Sequence, residues 1–266
     1  MGAIRLAGLL FLLTATHVAC QPSDLGVTSG EIVDLSHAFD GETIFWPTEV
    51  EGFVLEELAA GFTEQGYYYE ANRFRSAEHG GTHIDAPSHF AEGHLSVDQI
   101  PLERLVGNGI VVDVSARCAE NPDYQIATAD FEAWEASHGR IPDGAILLLH
   151  TGFGQRWRDR SRYLGTDEVG AAAVPKLHFP GLHPEAARWL VEERAIKAIG
   201  LDTASIDYGQ SKLFESHRIL FARDIPALEN LTRLDELPAE DFVVVALPMK
   251  IRGGSGGPLR AIAILR

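Results

Sequence analysis

Eleven consecutive residues, His79-Gly80-Gly81-Thr82-His83-Ile84-Asp85-Ala86-Pro87-Ser88-His89, hold three imidazoles and one carboxylate. Neutral imidazole and ionised carboxylate are the usual ligands of a divalent cation such as zinc or manganese. The two glycines permit a tight fold that brings His79 round to the point His83 and Asp85 face. From residue 83 onward an extended backbone would set His83, Asp85, Pro87 and His89 on one face, because strand side chains alternate. The competing view is a turn whose histidines only satisfy local hydrogen bonds. That view serves for one histidine; three beside an aspartate point to a cation site with one histidine to spare. A cation site of this type makes water reactive near neutral pH, so the stretch predicts a hydrolytic enzyme.

Such a site needs a rigid frame. Short apolar runs recur at Glu31–Ser36, Tyr67–Ala77, Gly109–Ser115, Ala145–Thr151, Ile196–Asp202, Phe242–Pro248 and Arg260–Leu265. Several, such as 145–150 and 242–246, are apolar without alternation, which suits strands covered on both faces. Between them, Thr128 can cap a helix running through Phe131 and Trp134 to a stop at Gly139. Pro184 opens another helix through Ala187, Leu190 and Val191. Strands mixed with a few helices predict an α/β fold built on a mixed sheet. The chain has no long linker, low-complexity tract or internal repeat, and 266 residues with 45% hydrophobic content support a single domain over 31–266.

The formal charge of −16 repels phosphate backbones and anionic membranes, and no basic patch with interleaved aromatics stands out; nucleic-acid binding is excluded on this reading. Arg5 followed by the apolar run Leu6–Ala15 and small residues up to Cys20 predicts a signal peptide over 1–20, with a short mature tail over 21–30. Ala19-Cys20 also fits a lipid-accepting cysteine, whereas His17 does not. The expected location is secreted or periplasmic, with membrane contact only through a lipid on Cys20. Cys118 then stands alone and reads as a small buried hydrophobe.

The stretch from His79 to His89 resembles the HxGTHxDxPxH signature of the metal-dependent cyclase family, which includes bacterial kynurenine formamidase and isatin hydrolase. Asp34-Leu-Ser-His37 with Phe45-Trp46-Pro47 resembles the family's N-terminal segment, and Gly200-Leu-Asp202-Thr203-Ala-Ser-Ile-Asp207 its central one. Leu247-Pro248 through Gly253-Gly-Ser-Gly-Gly257-Pro258-Leu-Arg260 resembles its C-terminal glycine loop. The resemblance spans roughly residues 31 to 266 and implies a swivelling β/β/α fold, a homodimer, and a small aryl formamide or cyclic amide as substrate. It implies that His79, His83 and Asp85 hold a first divalent metal, zinc or else manganese. Asp85 and Glu229 would bridge to a second metal completed by His217. His89 would be the acid/base and Trp46 would pack on an aromatic substrate. Isatin-hydrolase-like members can lack the acid at the Glu229 position, so its presence leans towards the kynurenine-formamidase pattern.

Beside the resemblance, His217 and Glu229 are an ordinary pair on sequence alone, open to reading as a helix-end histidine and a surface glutamate. The glycine loop 253–257 either approaches the substrate or simply turns the chain between two strands. It lacks the following Lys-Ser/Thr of a phosphate loop. Asp202 ends a strand, where a site role and a turn-forming role are both open. His94, His138, His150, His178 and His183 have no partner pattern, and Trp134 and Trp189 read as core. Ser205 and Ser255 lie outside any G-x-S-x-G elbow, which counts against a serine hydrolase. A reading of another class is an exported protein that binds metal without catalysis.

Overall fold

Residues 30–266 are described by a computed structural model; the expected signal segment, Cys20 and residues 21–29 lie outside the described residues. Twelve strands run β1 (Ile32–Asp34), β2 (Val54–Phe62), β3 (Tyr68–Arg75), β4 (His83–Asp85), β5 (Val106–Asp113), β6 (Gln125–Ile126), β7 (Ile146–His150), β8 (Gly181–Leu182), β9 (Ala198–Leu201), β10 (Ala227–Glu229), β11 (Phe242–Pro248) and β12 (Gly256–Leu265). Six helices, α1 (Leu102–Leu105), α2 (Ser115–Glu120), α3 (Thr128–His138), α4 (Arg160–Leu164), α5 (Pro184–Glu193) and α6 (Glu215–Phe221), are joined by short 3₁₀ turns.

The main sheet has the order β1-β12-β11-β5-β7-β9-β10-β4, and β4 pairs with β12 as well as β10. The sheet therefore closes on itself, with β1 attached to the side of β12. The pairs β5–β7, β7–β9 and β9–β10 are parallel and the rest antiparallel. Closure explains the apolar runs that do not alternate. Val111, Ile146, Leu148, Ala198 and Val244 belong to one buried core, enclosed by the ring of strands. Their neighbours Ile110, Val112, Leu147, Leu149 and Ile199 belong to another, packed with Phe131, Leu190 and Phe221 of the helices. Strands covered on both sides can be apolar at every position.

The observed helix starts differ in detail from expectation. Thr128 is the first helical residue and not the cap; the side chain of Asp130 reaches back to accept the Ala127 N–H at 2.8 Å. Gly139 ends that helix, as expected, with positive φ. In α5, Pro184 occupies the first turn and the His183 ring accepts the Glu185 N–H at 3.1 Å.

Two larger differences concern strands. The run at Tyr67–Ala77 is β3, but it pairs only with β2 in an antiparallel ribbon apart from the main sheet. That ribbon is largely exposed on both faces. The extended backbone expected beyond residue 83 stops at Asp85, and Pro87–His89 forms a 3₁₀ turn, because proline favours the first turn of a helix.

Candidate active site

β4 is three residues long and buried throughout. Its register sets His83 opposite Glu229 of β10 and Asp85 opposite Ala227; on its other side Pro258 and Gly256 of β12 face the same two residues. His83 and Asp85, two apart, point to one face. Directly opposed residues lie side by side, so Glu229 joins them. His83 Nε2 is 3.1 Å from Asp85 Oδ1 and 3.6 Å from Glu229 Oε2. α6 brings in His217, whose Nε2 is 3.3 Å from Asp85 Oδ2 and 3.2 Å from Glu229 Oε1. His79 Nδ1 approaches Asp85 Oδ1 to 2.6 Å.

The chain reaches β4 through Gly80 and Gly81, both at positive φ. A Cβ on Gly80 would stand 2.0 Å from the Phe45 ring, and one on Gly81 2.5 Å from Phe39. Only glycine fits, and the turn this allows is what swings His79 back beside Asp85. His89 arrives by the 3₁₀ turn and stacks its ring on His79, with centroids 3.8 Å apart.

His83 and His217 each have one nitrogen committed behind them. His83 Nδ1–H donates to the Gly81 carbonyl at 2.9 Å, and the Asn230 amide donates to that same oxygen at 2.7 Å. His217 Nδ1–H donates to Asp207 Oδ2 at 2.5 Å; that carboxylate also accepts the Ser216 and His217 backbone N–H groups. The Ile206 N–H fixes Glu229 through Oε1 at 2.7 Å. With Nδ1 protonated, both His83 and His217 turn Nε2 towards two carboxylates, a nitrogen that carries a lone pair in the neutral ring and a proton in the imidazolium. Acceptors facing acceptors in a buried space need positive charge between them. His83 Nε2 is buried and forms no aligned hydrogen bond. The donor set, imidazole nitrogen with carboxylate oxygen, fits a divalent cation of the zinc or manganese kind. Two groups of donors each lie within 4.8 Å of one another, His79/Asp85/His89 and His83/Asp85/Glu229, with Asp85 common to both.

Proton affinities reflect the same crowding. Burial favours the neutral forms of His83 and His217, but hydrogen bonds and charge from the surrounding carboxylates outweigh it and raise both imidazoles. Burial and the neighbouring Asp85 charge raise Glu229. Asp85 is held well below the usual carboxylate range despite its burial, first by the His79 charge and then by bonds to His217, His79 and His83. His89 goes the other way. Burial, chiefly, lowers it to about 4, with the other three histidines adding to the effect against Asp85.

All seven residues singled out in the sequence, His79, His83, Asp85, His89, His217, Glu229 and Trp46, line one cavity of about 360 Å³. Trp46 stands edge-on to Phe214 at 6.2 Å between centroids, and Phe90 lies 5.1 Å from Phe214, so three aromatic rings wall one side. Among the described residues no lysine or arginine lines the cavity, while Glu49 does.

Sequence reasoning gave no role to Phe90, Phe214, Asn230, Asp207, Ser255 or Glu78. Asp207 sat inside a quoted motif, ten residues before His217, and that pairing was its signal. Asp202 turns out to serve the backbone: its carboxylate accepts the N–H groups of Thr151, Gly152 and Gly154 and the Thr151 hydroxyl. Cys118 is fully buried and its thiol is pushed up to about 12, chiefly by burial, in keeping with an unreactive core residue.

Residues 33–208 match the family model described as Putative cyclase. An isatin hydrolase of Roseibium aggregatum is 31% identical over 212 residues, covering 77% of this chain and 78% of that protein. A kynurenine formamidase of Bordetella petrii is 30% identical, covering 72% of this chain and 78% of that one. Among solved structures, isatin hydrolase A from Labrenzia aggregata bound to benzyl benzoate superposes with a TM-score of 0.78 at 35% identity, over 88% of this chain and 93% of that chain. The chain belongs to the putative cyclase family and is an enzyme of hydrolytic type.

Proposed function

We propose that this protein hydrolyses the amide bond of an aryl amide in the manner of an arylformamidase, with N-formylkynurenine to kynurenine plus formate as the model reaction. The observation that carries this reading is the convergence of histidine ring nitrogens on two buried carboxylates, Asp85 and Glu229. His79, His83 and Asp85 would hold one divalent ion, zinc before manganese, and Asp85, Glu229 and His217 a second. A divalent cation held there lowers the pKa of water towards neutrality and polarises a carbonyl oxygen. His89, neutral near pH 7 because burial lowers it to about 4, has a free ring nitrogen to take the proton of the attacking water. The same nitrogen returns that proton to the departing amine, and an aniline-type nitrogen departs more readily than an alkyl amine. Trp46, with Phe90 and Phe214, supplies a wall for an aromatic ring.

A second reading, hydrolysis of isatin or another cyclic imide or lactone, is favoured by the lining of the cavity. N-formylkynurenine carries an α-carboxylate beside an α-ammonium group. Glu49 could meet the ammonium, but among the described residues no lysine or arginine lines the cavity to meet the carboxylate, which is costly for a buried charge. A neutral cyclic amide meets no such cost. Assays of the purified protein on N-formylkynurenine and isatin, before and after removal of metal and after return of Zn²⁺ or Mn²⁺, test both. Turnover that survives thorough metal removal overturns the mechanism. His89→Ala separates an enzyme from a metal-binding protein: it is expected to keep metal and lose turnover.

The quaternary state belongs to the same proposal. An isolated two-stranded ribbon is marginal in water, and β2–β3 exposes Leu55, Phe62, Tyr68 and Phe74. A homodimer would cover it, and sedimentation would report the mass. Export through the 1–20 segment is checked by the N-terminal sequence and lipid content of the mature protein.

A further inference from the structure

The other two metal-facing histidines each have a group behind them; the one behind His79 comes from the glycine loop. We propose that Ser255 and Glu78 are positioning residues of the metal centre, acting together to fix which nitrogen of His79 is free. The proposal rests on the metal reading above and goes beyond it in naming residues outside the donor set.

His79 Nε2 lies 2.8 Å from Ser255 Oγ. Ser255 in turn donates its hydroxyl proton to Glu78 Oε2 at 2.7 Å, and its backbone N–H donates to the same oxygen at 2.9 Å. A serine hydroxyl has one proton. Once that proton is committed to a carboxylate, Oγ can only accept, and what it accepts is the His79 Nε2–H. Nδ1, which shares a hydrogen bond with Asp85 Oδ1 at 2.6 Å on the side of the cation site, is then the nitrogen whose lone pair a cation would take in place of that proton. The order of donors is His79 to Ser255 to Glu78. This does for His79 what the Gly81 carbonyl does for His83 and Asp207 does for His217.

The loop is shaped for this contact. A Cβ on Gly256 would sit 2.7 Å from His79 Cε1, and one on Gly254 would sit 2.7 Å from Glu78 Oε1. The glycines on either side of Ser255 thus let the backbone close on both partners. The Ala86 N–H donates to the Ser255 carbonyl, and the Val97 N–H to the Gly254 carbonyl, so the loop is tied down around the serine. Neither Ser255 nor Glu78 lines the cavity, which assigns this part of the glycine loop to the ligand and not to the substrate.

The test measures Zn²⁺ and Mn²⁺ affinity of the metal-free protein by competition with a chromophoric chelator, beside the melting temperature of the same metal-free samples. Groups that orient a ligand from behind typically contribute about 10–100-fold in metal affinity. Ser255→Ala is expected to weaken binding by about that factor with little change in metal-free melting. Ser255→Thr, which keeps the hydroxyl, is expected to restore most of the affinity. Glu78→Gln keeps an acceptor but loses its charge and is expected to fall between, so it tests the relay even if Ser255→Ala folds poorly. Wild-type affinity in Ser255→Ala and Glu78→Gln, or an equal loss in Ser255→Ala and Ser255→Thr, overturns the proposal. Wild-type protein that binds neither ion overturns the metal reading instead.

Discussion

β4 and the β2–β3 ribbon are made of the same kind of backbone pairing and meet opposite fates. β4 has three residues, all buried, and is hydrogen-bonded on both edges. The ribbon joins strands of nine and eight residues, and most of their side chains face solvent. The short strand carries two of the convergent donors, His83 and Asp85; the long ribbon carries none of them. What fixes a side chain is the number of elements packed around it, and strand length tells little about that.

The contrast is open to experiment. Asp85→Asn removes the carboxylate common to both donor groups, and loss of metal binding together with turnover is expected. Retention of stoichiometric metal by this variant would show that Asp85 is dispensable. Next in size is Ile84→Ala. Ile84 is fully buried among the residues enclosed by the ring, and truncation should cost about 2–5 kcal/mol in denaturant unfolding. The matching change in the ribbon is Phe62→Ser. Phe62 is 81% exposed, so unfolding of a monomer should shift by less than about 0.5 kcal/mol. A larger loss, dependent on protein concentration, would mean that a second copy covers it.

An effect confined to acid pH concerns His37, stacked on Trp157 at 4.1 Å. Burial first, and then the charge of Arg158, lowers its pKa from 6.5 to about 4, with Asp34 opposing. Between those values the unfolded chain binds the proton and the folded chain does not. This contribution to stability is therefore complete above pH 6.5 and is lost as pH falls towards 4. His37→Phe keeps an aromatic ring on Trp157 and should make the acid-side fall in melting temperature shallower. An unchanged slope would place the acid sensitivity elsewhere.

These two regions also mark what could be read from the sequence. Most strands of the ring announced themselves because runs such as Ile146–Leu149 are apolar at every position; β10, three residues long, did not. Val54–Phe62 did not, because its Leu, Glu and Ala residues carry little strand preference. β4 was legible as chemistry but not in its full path, since Pro87 turns the chain before His89. The convergent donors were readable because unusual residue types sit at unusual density, with His217 and Glu229 carried only by resemblance. The groups behind them were hidden. Ser255, Glu78, Asp207 and Asn230 are common residue types, and Ser255 lies 176 residues from the histidine it meets. Only folding makes Ser255 a neighbour of His79.

Closure of the ring has one more consequence. An open sheet can fray from its outermost strand, but β4 has a partner on each flank and offers no such starting point. Peeling His83 and Asp85 away would require breaking two ladders together. The cavity that these two donors line is also lined by Trp46, Phe90 and Phe214, so an aromatic guest held there would sit beside donors that cannot swing out of its way.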